Sequence, residues 1–491
     1  MKGNDFTTDS KKIIKICEEL NLGNIKCDKN LDNFAKKFKI IFNLVQNKNI
    51  NIEEIKPKEN NVFLNNIDYN LEVSKDNFLL KIEIILQILY KNHFKILNSM
   101  LNLHKYSEDR KIRIFKFIEK IPTLRKNEII EWMNKNGIDL QRSLYIYLIS
   151  RRMPAEIYDI IEDNFSIYGE FTSLDIQNDI EMNLNKLYKL ECTCDKIKMN
   201  LDLFSNKKII LIDEFIKRCF FFNFFSENKR DLKIKLWLSK LKKKIPLTRK
   251  DKYLGPKEIN SGCTDSFEIS LWRKEEMSKI VLHELMHYLD LENIKDLKVI
   301  REYFYKKYDI QRDITINFFE SYTEIWANVM NICFCVFENI NLNKKTKKKN
   351  NNIINEIVKL LNIELTFNLI QSAKILKFYG YKKFSDFYRK DGFNENEKSK
   401  KFNQRSNVFS YFLGRVFLFY NFDYFLSLCY TYNKENIVKN NIPISKFIDI
   451  VEKTVNDEKF RNIIDNLINN FPKSNFISRT LRFSAIESDI I

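Results

Sequence analysis

The chain has 491 residues, 44% of them hydrophobic, which is enough for two or three globular domains with sizeable cores. Its formal charge is +18, but the lysines are scattered without interleaved aromatic patches. This argues against a dedicated nucleic-acid surface and leaves weak, non-specific polyanion contact through the Lys-rich runs at 240–244 and 344–349. No run of about 18 apolar residues marks a transmembrane segment, the start lacks a secretory apolar core, and nine irregularly spaced cysteines point to a reducing, intracellular compartment.

Residues 1–165 read as a helical N-terminal domain. Apolar positions recur at helical spacing over 78–103 and 112–118, with further short helices over 124–133 and 139–148. His93 and His104 fall here on different turns and read as structural or surface residues. From 166 the pattern shifts toward strands. Residues 189–204 alternate in part, 209–212 form a compact apolar run, 215–225 read as a buried helix, and 232–238 as a strand. A β-prone segment, 268–273, precedes a helix over 274–291, with Glu275 and Glu276 in its first turns, where the helix dipole favours acids. Residues 301–308 suggest a helix or short lid. A second apolar helix starts near Asn317, and strong helical periodicity covers 351–378 and 412–429. Residues 431–480 read as terminal helices, and the tail after Pro472 as loosely ordered. The fold class expected is α+β, predominantly helical. It comprises an N-terminal helical domain (1–165), a catalytic domain with a small sheet before the motif helix (166–430), and C-terminal helices with a tail (431–491).

The segment His283-Glu284-Leu285-Met286-His287 is an H-E-x-x-H motif that uses two of only four histidines in the chain. Residues four apart share a helix face, so both imidazoles can address one ion. Glu284 can then reach a metal-activated water as general base. A hydrolytic zinc site needs about three protein ligands and one open position. Glu320 and Glu324 share one face of the second helix, in aromatic and apolar surroundings where carboxylates are costly without partners. A metal and a metal-bound histidine would supply both partners. Glu320 is therefore assigned as third ligand and Glu324 as the acceptor that fixes an imidazole tautomer, with the reverse assignment open. Asp290, three residues past His287, reads as a helix-end polar group with a ligand role as the alternative. Cys263 reads as an ordinary free thiol.

These two helices resemble the gluzincin group of zinc metallopeptidases, whose pattern is H-E-x-x-H followed by E-x-x-[Ser/Thr]-[Asp/Glu]. Here the second part stands as Glu320-Ser321-Tyr322-Thr323-Glu324. The wider block at 260–291 and the run at 320–327 are also similar to metallopeptidase-like proteins of large double-stranded DNA viruses. The resemblance covers roughly 255–335. The 32 residues between the motifs, 288–319, exceed the gap in thermolysin-like members. The resemblance implies a zincin-like catalytic domain binding Zn2+ through His283, His287 and Glu320, with Glu284 as base, Glu324 behind a ligand, and a protein or peptide substrate. The oxyanion donor is left open by the motifs. Tyr411, four residues before Arg415 in an apolar helical stretch, is the candidate, against core packing of Tyr411 and acid pairing of Arg415. The alternatives are an inactive zincin-fold binding protein and a hydrolase of non-peptide amides.

Overall fold

The computed structural model describes residues 6–55, 172–173, 175–176, 179–180, 186–205, 212–227, 229–246, 253–265, 267–293, 297–342, 351–393, 401–434 and 436–488. The chain divides into two units, Met1–Pro57 with Phe171–Ile491, and Lys58–Glu170. The second unit lies outside the described residues, and with it the helices expected over 78–148, His93 and His104. The Lys-rich run at 344–349 lies outside them too.

Helices α1 (Thr8–Leu20) and α2 (Lys29–Gln46) begin at side-chain caps. Thr7 accepts from the Ser10 amide and Asp28 from the Leu31 amide. Strand β1 (Asn51–Ile55) pairs antiparallel with β2 (Lys186–Cys194), which turns through left-handed Asp195 into β3 (Ile197–Ser205). Helix α3 (Ile212–Phe225) crosses to β4 (Leu232–Ser239), and a short helix α4 (Pro256–Ile259) leads to β5 (Gly262–Thr264) and β6 (Ile269–Arg273). The six strands form one mixed sheet in the order β1-β2-β3-β4-β6-β5. Its centre, β3-β4-β6, is parallel, and both flanks are antiparallel. Lys233 and Lys235 on β4 pair with Glu268, whereas all five residues of β6 are buried.

The remainder is helical: α5 (Met277–Tyr288), α6 (Leu297–Lys307), α7 (Phe319–Leu342), α8 (Asn351–Phe378), a π-helical turn (Phe409–Gly414) running into α9 (Arg415–Tyr420), then α10 (Phe422–Tyr432), α11 (Ile444–Asn456), α12 (Glu458–Asn469) and α13 (Asn475–Arg479). The chain is thus mostly helical with a small mixed sheet ahead of the helices, an α+β arrangement. Helix α5 packs against β5 and β6 on one side and α3 and α7 on the other. The Phe-rich run of α3 is buried. Phe221 meets Phe38 of α2 at 4.4 Å and Phe334 of α7 at 4.8 Å between ring centroids. No helix among the described residues is long and apolar enough to cross a membrane.

Three sequence expectations need correction. The C-terminal tail is not loose: Leu481, Phe483, Ala485 and Ile486 lie in the core. Glu276 does not lie in the first helical turn. It is the fully buried, left-handed residue preceding α5 (φ 60°), paired with Lys243 at 2.6 Å and accepting the Phe483 and Ser484 amides. The Lys-rich run at 240–244 is not wholly available for polyanion contact, because Lys243 is completely enclosed. These three facts share one cause. The tail brings backbone donors and Arg482 into the core, and the acid and lysine neutralise each other there.

Candidate metal centre

Helix α5 is buried nearly all round, so its polar residues need partners on neighbouring elements or must face the cleft. His283 and His287 lie one turn apart, and their Nε2 atoms are 3.1 Å from each other. Glu320, in the first turn of α7, places Oε2 at 3.2 Å from His283 Nε2 and 3.4 Å from His287 Nε2. A tetrahedral zinc ion with ligands at about 2.0–2.1 Å has ligand–ligand edges of about 3.3–3.4 Å. The three atoms therefore form a near-regular triangle of the size that one face of such a tetrahedron requires. These three residues form a group able to hold a metal ion.

The surrounding hydrogen bonds point the same way. Asn407 and Asn317 donate to Glu320 Oε1 at 3.2 and 3.4 Å. Glu320 Oε2, also buried, faces the two imidazole nitrogens instead. One oxygen is anchored by amides, and the other is turned to the two histidines. Burial opposes the charge on both imidazoles. Glu324 nevertheless pulls the His283 pKa up, with Glu320 assisting, and Glu320 with Glu292 pulls that of His287 up further. Burial likewise opposes ionisation of Glu320, but His287 and His283 outweigh it and hold its carboxyl well below the usual range. A dication bound here would take the place of the protons that these acids otherwise hold on the imidazoles.

Behind the triangle, Glu324 Oε1 lies 2.8 Å from His283 Nδ1. Its Oε2 meets Lys279 at 2.5 Å and Arg415 at 3.1 Å, all of them buried. Glu284 turns toward β5, where the Thr264 hydroxyl donates to its Oε2 at 2.7 Å. Gly262 makes room there: a Cβ at that position would meet Leu271 and come within 3.2 Å of Glu284 Oε1. Burial raises the Glu284 carboxyl above its ordinary value, with the two histidines and Thr264 pulling it back down.

The centre opens on a cleft of about 930 Å³ lined by Thr264, Tyr411, Ile314 and Asn407, among others. The Tyr411 ring lies 5.9 Å from that of His283 and 5.0 Å from Phe483. Burial, reinforced by Glu320 and Glu284, pushes its hydroxyl pKa well up, so it stays protonated. All the assigned residues, His283, Glu284, His287, Glu320, Glu324 and Tyr411, thus converge on one place. Arg415 does not reach the cleft and binds Glu324 and the Phe483 carbonyl instead. Asp290 is the exposed, left-handed residue at the end of α5, and Cys263 is a partly exposed thiol on β5. Sequence reasoning missed Thr264, Asn407, Lys279 and Glu292. Only Lys279 had a signal, four residues before His283 on the motif helix. All nine cysteines are free thiols, consistent with a reducing environment.

No family model matches the chain, and no solved structure matches it. An uncharacterised protein of Acanthamoeba polyphaga mimivirus is 28% identical over 194 residues, 39% of this chain. The match spans 46% of the length of that viral protein.

Proposed function

We propose that the chain is a zinc-dependent peptidase of the gluzincin type with a zincin-like catalytic domain, hydrolysing peptide bonds in a protein or peptide substrate. The observation that carries this reading is the triangle of two imidazole nitrogens and one carboxylate oxygen at 3.1–3.4 Å, with Glu284 beside it. A viral origin fits the mimiviral likeness.

In this reading His283, His287 and Glu320 hold the ion, and Glu324 fixes the tautomer of His283. Bound zinc supplies Lewis acidity, polarising a carbonyl and lowering the pKa of water. Glu284, raised by burial and steadied by Thr264, takes a proton from the attacking water and returns it to the leaving amine. Tyr411, still protonated, donates toward the oxyanion. The cleft is largely polar, which suits a substrate carrying peptide groups better than a small apolar ligand.

The test compares bound zinc and peptide-library cleavage in wild type, His283→Ala and Glu284→Gln. The expected result is about one zinc per chain in wild type and Glu284→Gln, loss of zinc in His283→Ala, and cleavage by wild type alone. Folded, metal-supplemented wild type without zinc overturns the reading. Zinc without cleavage leaves a metal-binding protein that is not a peptidase.

A further inference from the structure

Behind His283 stands Glu324, as the motif implies; behind His287 stands a residue to which no motif points. Glu292 Oε1 lies 3.0 Å from His287 Nδ1, and its side chain is only 13% exposed. From these positions we infer that Glu292 is the positioning residue of His287, holding the Nδ1 proton so that Nε2 keeps its lone pair turned toward Glu320. The inference rests on the zinc reading above and adds a residue to it.

The chain is shaped to place this carboxylate. Helix α5 ends with a bond from the Leu291 amide back to the Met286 carbonyl at 2.9 Å, with Asp290 left-handed at φ 53°. This is a Schellman-type ending, closed by the buried Leu291. It reverses the chain, so that residue 292 comes back alongside residue 287. A second left-handed residue, Asn293 (φ 42°), then leads the backbone away. The turn is also clamped from outside. The backbone amide of buried Asn440 donates to the Leu291 carbonyl at 2.7 Å, and its side chain donates to the Glu292 carbonyl at 3.0 Å. Asn293 returns a bond to the Asn440 carbonyl at 2.9 Å. A carboxylate whose backbone is fixed on both sides keeps its place without the ion, which is what a positioning residue needs.

Asp290, nearer to His287 in sequence, is exposed, and its backbone amide donates to the His287 carbonyl at 2.9 Å. The structure therefore separates two acids that spacing alone confuses.

The experiment measures zinc affinity by chelator competition, and apo-protein thermal stability, in wild type, Glu292→Leu, Glu292→Gln and Asp290→Asn. The expected outcome is a loss of zinc affinity of about 10–100-fold in Glu292→Leu, with a smaller loss in Glu292→Gln, which keeps an acceptor oxygen. Asp290→Asn should bind zinc as wild type does. Should Glu292→Leu fail to fold, the isosteric Glu292→Gln decides by its affinity alone. Wild-type affinity in the folded Glu292 variants overturns the inference while leaving the metal site intact. Absence of zinc in wild type falls on the metal reading instead.

Discussion

His283 Nδ1 and Glu324 Oε1 lie 2.8 Å apart in a region closed to solvent, and Lys279 and Arg415 close on the other oxygen of the same carboxylate. One acid thus serves a putting-in-place role for the imidazole and a charge-balancing role for two buried cations. Burial opposes ionisation of Glu324, but Lys279 and His283 outweigh it and hold the carboxyl well below its usual range. Glu324→Gln strands both cations, and breaking buried pairs in this way costs about 3–5 kcal/mol. It should also weaken zinc binding by about 10–100-fold. Denaturant melts of the apo protein and chelator competition read the two effects separately. Wild-type stability in the variant would mean that Lys279 and Arg415 find other partners.

The two helices of the centre were legible because each sets a polar pair at four-residue spacing inside an apolar run. His283 with His287 and Glu320 with Glu324 announce a shared partner through the cost of burying them alone. The sheet ahead of the motif was legible from alternation in β4 and the compact β-prone run of β6. Glu292 was not, since its position depends on a left-handed Asp290 and on Asn440, 148 residues away. The burial of the tail was equally hidden. A short run such as Leu481 to Ile486 has no periodicity to read, and its docking depends on Glu276 and Arg415, charges supplied by other segments.

Gly414 lets the π-helical turn pack tightly against the start of α7. A Cβ there would come closer than 3.0 Å to Ser321 Oγ and meet the Phe318 ring at 3.1 Å. Ser321 is not free to swing away, because its hydroxyl donates to the Ser410 carbonyl at 2.9 Å. Gly414→Ala should destabilise the fold by about 1–3 kcal/mol through overpacking. Ser321→Ala in the same chain should restore part of the loss, because the Phe318 contact remains. A double-mutant cycle measured by denaturation supplies the coupling. Purely additive losses would place the clash elsewhere.

Phe483 joins the tail to the centre. Its ring lies 5.0 Å from Tyr411, with Lys243 Nζ 3.6 Å from the ring centroid, and its amide donates to Glu276 at 3.0 Å. Phe483→Ala should cost about 3–5 kcal/mol of stability. Zinc content should survive where the protein folds, since Phe483 packs on Tyr411, Phe412 and the buried Lys243 and Lys279. Catalytic turnover should fall, because the support under Tyr411 is gone. A stability loss below about 1 kcal/mol in denaturant would show the tail to be an appendage rather than part of the core.

Glu364 gives a pH signature distinct from the metal centre. It is fully buried on α8, where its Oε2 accepts from the Ser484 hydroxyl and the Ala485 amide, both at 2.9 Å. Burial raises its pKa to about 7, with Arg415 and these donors opposing the rise. The sign follows from linkage. Between the ordinary value of 4.5 and about 7, the folded chain keeps a proton that the unfolded chain has lost. Folding stability from this group is therefore full below the lower value and falls as pH rises through the window, by an amount on the order of 3 kcal/mol. Glu364→Gln carries no such proton. Its melting temperature relative to wild type should climb from pH 5 to pH 8 and level off above. The comparison is best made on apo protein, so that loss of zinc at low pH does not enter. A difference that stays flat across this range would mean that Glu364 ionises inside the fold as readily as in water.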